Sequence, residues 1–139
     1  MIAYRPIALQ DYSAAMALWN ATPGVRATES PEMFARILIR NPDLGCVAVD
    51  DNHLVGAVLC GHDGRRGYLY HLAVAESHRK LGIATKLVRW CLAGLQREGI
   101  EKCSIFLFTD NEPGRAFWSR IGWRERIDLR VMAKELSSA

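Results

Sequence analysis

Apolar and polar positions recur with two different periods along this chain. Ala3 to Ile7 is a short apolar start and predicts a first strand. After Asp11, a candidate N-cap, Ala14, Ala15, Leu18 and Trp19 fall at helical spacing and predict a helix through Asn20. Thr22-Pro23-Gly24 stops it. Ser30 opens a second helix with Pro31 at its first position, and Met33, Phe34, Ile37 and Leu38 form its apolar face. Asn41-Pro42 ends that helix.

The middle of the chain reads as strands. Leu44–Val49 and Leu54–Cys60 flank the turn residues Asp50-Asp51-Asn52, and a third run from Gly67 to Val74 follows the turn Gly61-His62-Asp63-Gly64. After Val74 the period changes. Ile83, Leu87, Val88, Cys91, Leu92 and Leu95 lie on one helical stripe, and Gly99 suits the position just past its end. Cys103 to Phe108 predicts a strand buried on both faces. Pro113 opens a helix carrying Ala116, Phe117 and Ile121, and Trp123 to Leu136 predicts one or two final strands. A strand–helix–strand unit from Gly67 to Phe108 requires a parallel pair joined by a right-handed crossover. The expectation is a mixed α/β sheet in the order β-α-α-β-β-β-α-β-α-β, in one domain spanning residues 1–139.

Composition narrows the class. The 139 residues are 50% hydrophobic and 24% charged, which excludes disorder as the main state. A net charge of +3 is too small to argue for nucleic acid as partner. No stretch approaches a membrane span, and the start lacks a signal-peptide core. Cys46, Cys60, Cys91 and Cys103 show no C-x-x-C spacing and read as buried free thiols in a reducing compartment, so a soluble cytoplasmic protein is expected. No His/Cys/carboxylate set has ligand spacing, so no metal is expected.

Chemistry concentrates between His71 and Thr85. A strand ends at Val74, Arg79 and Lys80 carry charge through a loop, and a helix starts near Gly82. The first amides of a helix have no internal partner, and the helix dipole adds positive potential, so this junction suits an anion such as phosphate. Gly82 and Ala84 leave room for close approach to the backbone. The loop lacks the Gly-Lys-Ser/Thr of a P-loop and the full G-x-G-x-x-G of a dinucleotide site.

Arg79-Lys80-Leu81-Gly82-Ile83-Ala84 resembles the R/Q-x-x-G-x-G/A loop of the GNAT superfamily of N-acetyltransferases. Tyr68-Leu69-Tyr70-His71-Leu72-Ala73-Val74 is similar to that family's fourth strand. Asn111, the aromatic Trp118 seven residues on, and Gly122-Trp123 resemble its later motif. The resemblance covers most of the chain. It implies a mostly antiparallel sheet with a central splayed parallel pair and helices on both faces. It implies acetyl-CoA as acetyl donor, its pantetheine along the backbone of Leu72, Ala73 and Val74. The pyrophosphate would sit on the amides of Arg79, Lys80, Leu81, Gly82, Ile83 and Ala84, with Thr85 next in line. Asn111 and Trp118 would lie beside the cofactor.

The implied reaction is direct attack of an amine on the thioester in a ternary complex. No Cys is paired with a positioned His for a covalent route. Family members commonly carry a tyrosine acid where this chain has Trp118, and an indole N–H cannot supply a proton. The candidate catalytic residues are Tyr70, for acid/base work or water positioning, and Glu29, in the loop between the first two helices that, by the same resemblance, borders the acceptor. His71, out of phase with Tyr70, is expected on the opposite sheet face as a structural histidine. Asp110 is read as a helix cap, Lys86 and Arg89 as a solvated helix face, and Arg124, Arg126 and Arg130 as the wet side of the last strands. Seventeen residues follow Gly122; so short a stretch predicts an acceptor site that is open or closed by a second subunit, hence a possible homodimer. The acceptor is a small-molecule or protein amine. A rival reading keeps cofactor binding without chemistry, as a sensor or scaffold.

Overall fold

A computed structural model describes residues 1–136. Its sheet has five strands in sequential order: β1 (Ile2–Pro6), β2 (Cys46–Asp50), β3 (His53–His62), β4 (Gly67–Val74) and β5 (Cys103–Ser104). The first four are antiparallel neighbours and the β4–β5 pair is parallel. Helices α1 (Tyr12–Asn20), α2 (Pro31–Arg40), α3 (Ile83–Arg97) and α4 (Glu112–Arg120) complete it.

The period-2 pattern of the strands divides the core into two layers. Cys46, Ala48, Val58, Cys60, Leu69 and Val74 face α3, whose Ile83, Leu87, Val88, Cys91 and Leu95 are all buried against them; Trp118 joins this layer. Val47, Ala57, Leu59 and Ala73 face the other way, onto Ala15 and Trp19 of α1 and Phe34 of α2. Local signals behave as expected at most junctions. Ser30 caps α2 by accepting from the Met33 amide, and Asp51 and Asn52 take positive φ in the β2–β3 turn. Gly99 ends α3 with two reverse amide bonds, Gly99 to Gln96 and Ile100 to Leu95, the pattern of a glycine stop.

Four expectations are corrected. Asp11 precedes α1 but does not cap it. Its carboxylate accepts from both Arg5 guanidinium nitrogens, at 2.7 and 2.8 Å, and from the Ala8 amide. Burial opposes that charge, but these hydrogen bonds outweigh it and hold the Asp11 carboxyl below its usual range. The strand expected over Cys103–Phe108 is two residues long, and Phe106, Leu107 and Phe108 are exposed. Residues 123–136 form no strand, so Arg124, Arg126 and Arg130 do not share a sheet face. These two corrections have one cause. An apolar strand needs neighbours to bury it, and β5 has only β4 beside it among the described residues. Finally, α4 is capped by Asn111, which accepts from the Gly114 amide at 3.0 Å; Asp110 is exposed.

Candidate active site

β4 and β5 pair at only two positions, Gly67 with Cys103 and Tyr68 with Ser104. Beyond Tyr68 the two chains separate, and the edge of β4 from Leu69 to Val74 meets no further strand among the described residues. This leaves main-chain donors and acceptors without a ladder partner, the condition under which an extended ligand adds to a sheet edge.

The loop after β4 leads directly to a helix start. Glu76–His78 makes one tight turn, Lys80 has φ +64° and Gly82 has φ +80°. Arg79 is exposed, yet its Nε donates to the Val74 carbonyl at 3.2 Å and ties the loop to the strand. The first helical bond of α3 runs from the Lys86 amide to Gly82 O. The amides of Ile83, Ala84 and Thr85 therefore have no partner within the helix. No side chain caps this end and no acidic residue lies in its first turn, whereas α2 and α4 have both a capping side chain and a glutamate. A Cβ built at Gly82 would meet nothing within 4 Å, so what demands glycine there is the left-handed backbone, and the space above it is open. Open amides, a positive helix end and no neighbouring carboxylate fit a pyrophosphate.

The α1–α2 loop borders the other end of β4. Glu29 in this loop presents both carboxylate oxygens to His71 Nε2, at 2.8 and 3.0 Å. That hydrogen bond prevails over burial and lowers the Glu29 carboxyl from its usual range. Tyr12 donates its hydroxyl to the Glu29 carbonyl, and the His71 ring lies 5.1 Å from that of Trp19. His71 is thus on the α1 side of the sheet with Tyr70, contrary to the alternation. A bulge explains it. Ala57 pairs with Ala73 but Leu59 pairs with Tyr70, so β4 holds one extra residue opposite Val58, and His71 takes φ +60°. Leu69 and Val74 sharing one core face, odd and even, was the trace of that insertion, but it reads as such only once the faces are known.

Tyr70 stacks beside Tyr68, which stacks on Phe106, giving an aromatic wall where β4 and β5 part. Burial first, then neighbouring Tyr68, pushes the Tyr70 hydroxyl above its ordinary value of 10. It stays protonated near neutrality, which suits a hydrogen-bond donor and disqualifies it as a base. Arg26 lies over the Phe108 ring at 3.9 Å. Asn111 packs so tightly on Gly24 that a Cβ there would come within 2.5 Å of its amide nitrogen. The α1–α2 loop is thereby held to the start of α4. Trp118 is 7% exposed, edge-on to Phe117 and Trp123, and serves as core. Lys86 lies over the Tyr4 ring. The Cys103 thiol is pushed up to about 12 by burial and is no nucleophile near neutrality. Among the described residues no cluster of His, Cys, Asp and Glu could hold a metal, and no helix is long and apolar enough to cross a membrane.

Residues 12–123 match the acetyltransferase (GNAT) family, and the chain belongs to it. An acetyltransferase of Pectobacterium atrosepticum is 32% identical over 127 residues, covering 91% of this chain and 89% of that protein. Among solved structures, the NatC complex bound to a Gag peptide and CoA is similar at TM-score 0.74 and 25% identity, over 87% of this chain and 83% of that one. A Clostridium acetobutylicum acetyltransferase solved with acetyl-CoA has TM-score 0.76 at 16% identity, over 96% of both chains, and shares the fold.

Proposed function

We propose that this chain, as one domain over residues 1–139, is an N-acetyltransferase that moves an acetyl group from acetyl-CoA directly to a primary amine. The observation that carries the reading is the junction of an unpaired β4 edge with the open amides of α3. The backbone of Leu72, Ala73 and Val74 would hold the pantetheine. The amides from Arg79 through Thr85 would hold the pyrophosphate, with Asn111 bordering the gap. Acetyl-CoA supplies an activated thioester carbonyl. The buried, protonated Tyr70 hydroxyl suits donation of a hydrogen bond toward the departing sulfur. Full protonation there is not required, since a thiol pKa near ~8.5 makes thiolate a tolerable leaving group.

The test is thiol release from acetyl-CoA across primary amines: polyamines, amino acids, aminoglycosides and peptides. Tyr70→Phe is expected to slow release by about tenfold to 10²-fold with unchanged acetyl-CoA affinity; a rate within twofold of wild type removes Tyr70 from the mechanism. The buried Trp118 at the position of the family's usual tyrosine favours the rival reading of a CoA-binding sensor or scaffold, with no turnover. Binding without release for any amine would select it.

Homodimer formation is part of the same reading. Ile127, Leu129 and Val131 alternate with Asp128 and Arg130 and are at least 59% exposed, while Phe106, Leu107 and Phe108 after β5 are also exposed. A segment with strand alternation and the outer edge of β5, unpaired among the described residues, suit mutual addition between two copies. Sedimentation should give a dimer that reverts to monomer in Leu129→Lys; a wild-type monomer at all concentrations contradicts it. The buried thiols fit a reducing cytoplasm.

A further inference from the structure

We infer that His71 is the general base of the transfer and that Glu29 is the residue that positions it. The inference rests on the acetyltransferase reading above and adds what that reading lacks, a group to take the proton from the acceptor amine.

An ionised carboxylate can only accept hydrogen bonds. Both Glu29 oxygens lie within 3.0 Å of His71 Nε2, so that nitrogen carries the hydrogen. In a neutral imidazole the lone pair is then on Nδ1. Glu29 thus selects the tautomer, as a buried carboxylate does wherever a histidine must act as base. The ring is held on its face by Trp19, and Glu29 is held through its own carbonyl by Tyr12. Glu29 faces His71 from the α1–α2 loop. Tyr70 is its neighbour on β4, Trp19 packs from α1, and no cation contacts the pair among the described residues.

A purely structural ion pair explains this poorly. The His71 and Glu29 side chains are 18% and 13% exposed, a costly place for a charge whose only task is to hold a loop. His71 also sits at φ +60° in mid-strand, a conformation side-chain-bearing residues seldom adopt. Strain of this kind collects at working sites. The bulge that imposes it turns the ring to the α1 side of the sheet, one residue before Leu72, where the proposed cofactor track begins.

The proton balance closes. The acceptor nitrogen arrives as an ammonium and sheds two protons. His71 Nδ1 takes the first and passes it to water. The freed lone pair forms the C–N bond while the C–S pair leaves with sulfur. Nδ1 takes the second proton in turn and gives it up to the departing thiolate, leaving an amide, CoA thiol and a neutral His71.

The test uses the full chain with 15N-labelled histidine and n-butylamine as acceptor. Nitrogen NMR should show His71 protonated on Nε2 and bare on Nδ1, and Glu29→Gln should convert it to a tautomer mixture. His71→Asn, chosen because asparagine tolerates positive φ, should lower the transfer rate by about 10²-fold or more. Acetyl-CoA affinity should stay within threefold of wild type. A His71 protonated on Nδ1, or a His71→Asn rate within threefold of wild type, overturns the base assignment and leaves the acetyltransferase reading standing. A wild type that binds acetyl-CoA but releases no thiol with n-butylamine or with any of the polyamines, amino acids, aminoglycosides and peptides named above overturns both, and one that does not bind it places the failure in the cofactor reading.

Discussion

Gly82→Glu is expected to lose acetyl-CoA affinity by about 10²–10⁴-fold while keeping its fold. The site depends on amides at the start of α3 that have no capping side chain and no acidic neighbour. A glutamate carboxylate placed at that point would bond to the same amides and repel phosphate. Loss of two charge-assisted hydrogen bonds, each worth about 1.5–3 kcal/mol, gives that range. The fold should survive because Gly82 is exposed and a Cβ there meets no neighbour within 4 Å. The backbone charge is the left-handed penalty at φ +80°, about 1–2 kcal/mol against a typical stability of about 5–15. Gly82→Ala separates the two effects, since it carries the same backbone strain without the carboxylate. It should bind more tightly than Gly82→Glu. Equal losses in both would mean that strain, not occupation of the amides, is responsible.

Trp19→Ala is expected to destabilise the protein by about 3–5 kcal/mol, enough to unfold a marginal variant. Trp19 is completely buried in the layer between the sheet and α1, beside Phe34, and its indole nitrogen donates to the Ala57 carbonyl at 3.4 Å. Truncation leaves a large void and removes that hydrogen bond. It also removes the surface on which the His71 ring rests, so stability and catalysis should fall together. Trp19→Phe fills most of the volume and should cost less. Chemical denaturation of both variants checks the order; an alanine variant within 1 kcal/mol of wild type (an order-of-magnitude bound on core truncation) would contradict the packing described.

Those two residues differ in how far the sequence discloses them. The open helix start at Gly82 was legible, because a basic loop, a glycine and a helix stripe are all local patterns. Trp19 was legible as core from its place on the apolar face of α1. The partnership of Glu29 with His71 was not, because strict alternation sent His71 to the wrong side of the sheet. A bulge has no sequence signature when the extra residue is not glycine, and here it was a histidine in a left-handed conformation. The missing end of β5 failed for a different reason. Cys103 to Phe108 has the composition of a buried strand, but composition cannot say whether a neighbour arrives to bury it. Tyr70, a candidate from the sequence, lies where β4 and β5 part, and its surroundings suit it to donating a hydrogen bond and not to accepting a proton.

The central claim is that the β4 edge and the α3 start hold acetyl-CoA. Calorimetric titration of the full chain with acetyl-CoA, against free CoA and ATP, tests it most directly. Saturable one-site binding of acetyl-CoA and CoA in preference to ATP, lost in Gly82→Glu, is the predicted result. No heat of binding with acetyl-CoA, or equal affinity for ATP, would contradict it.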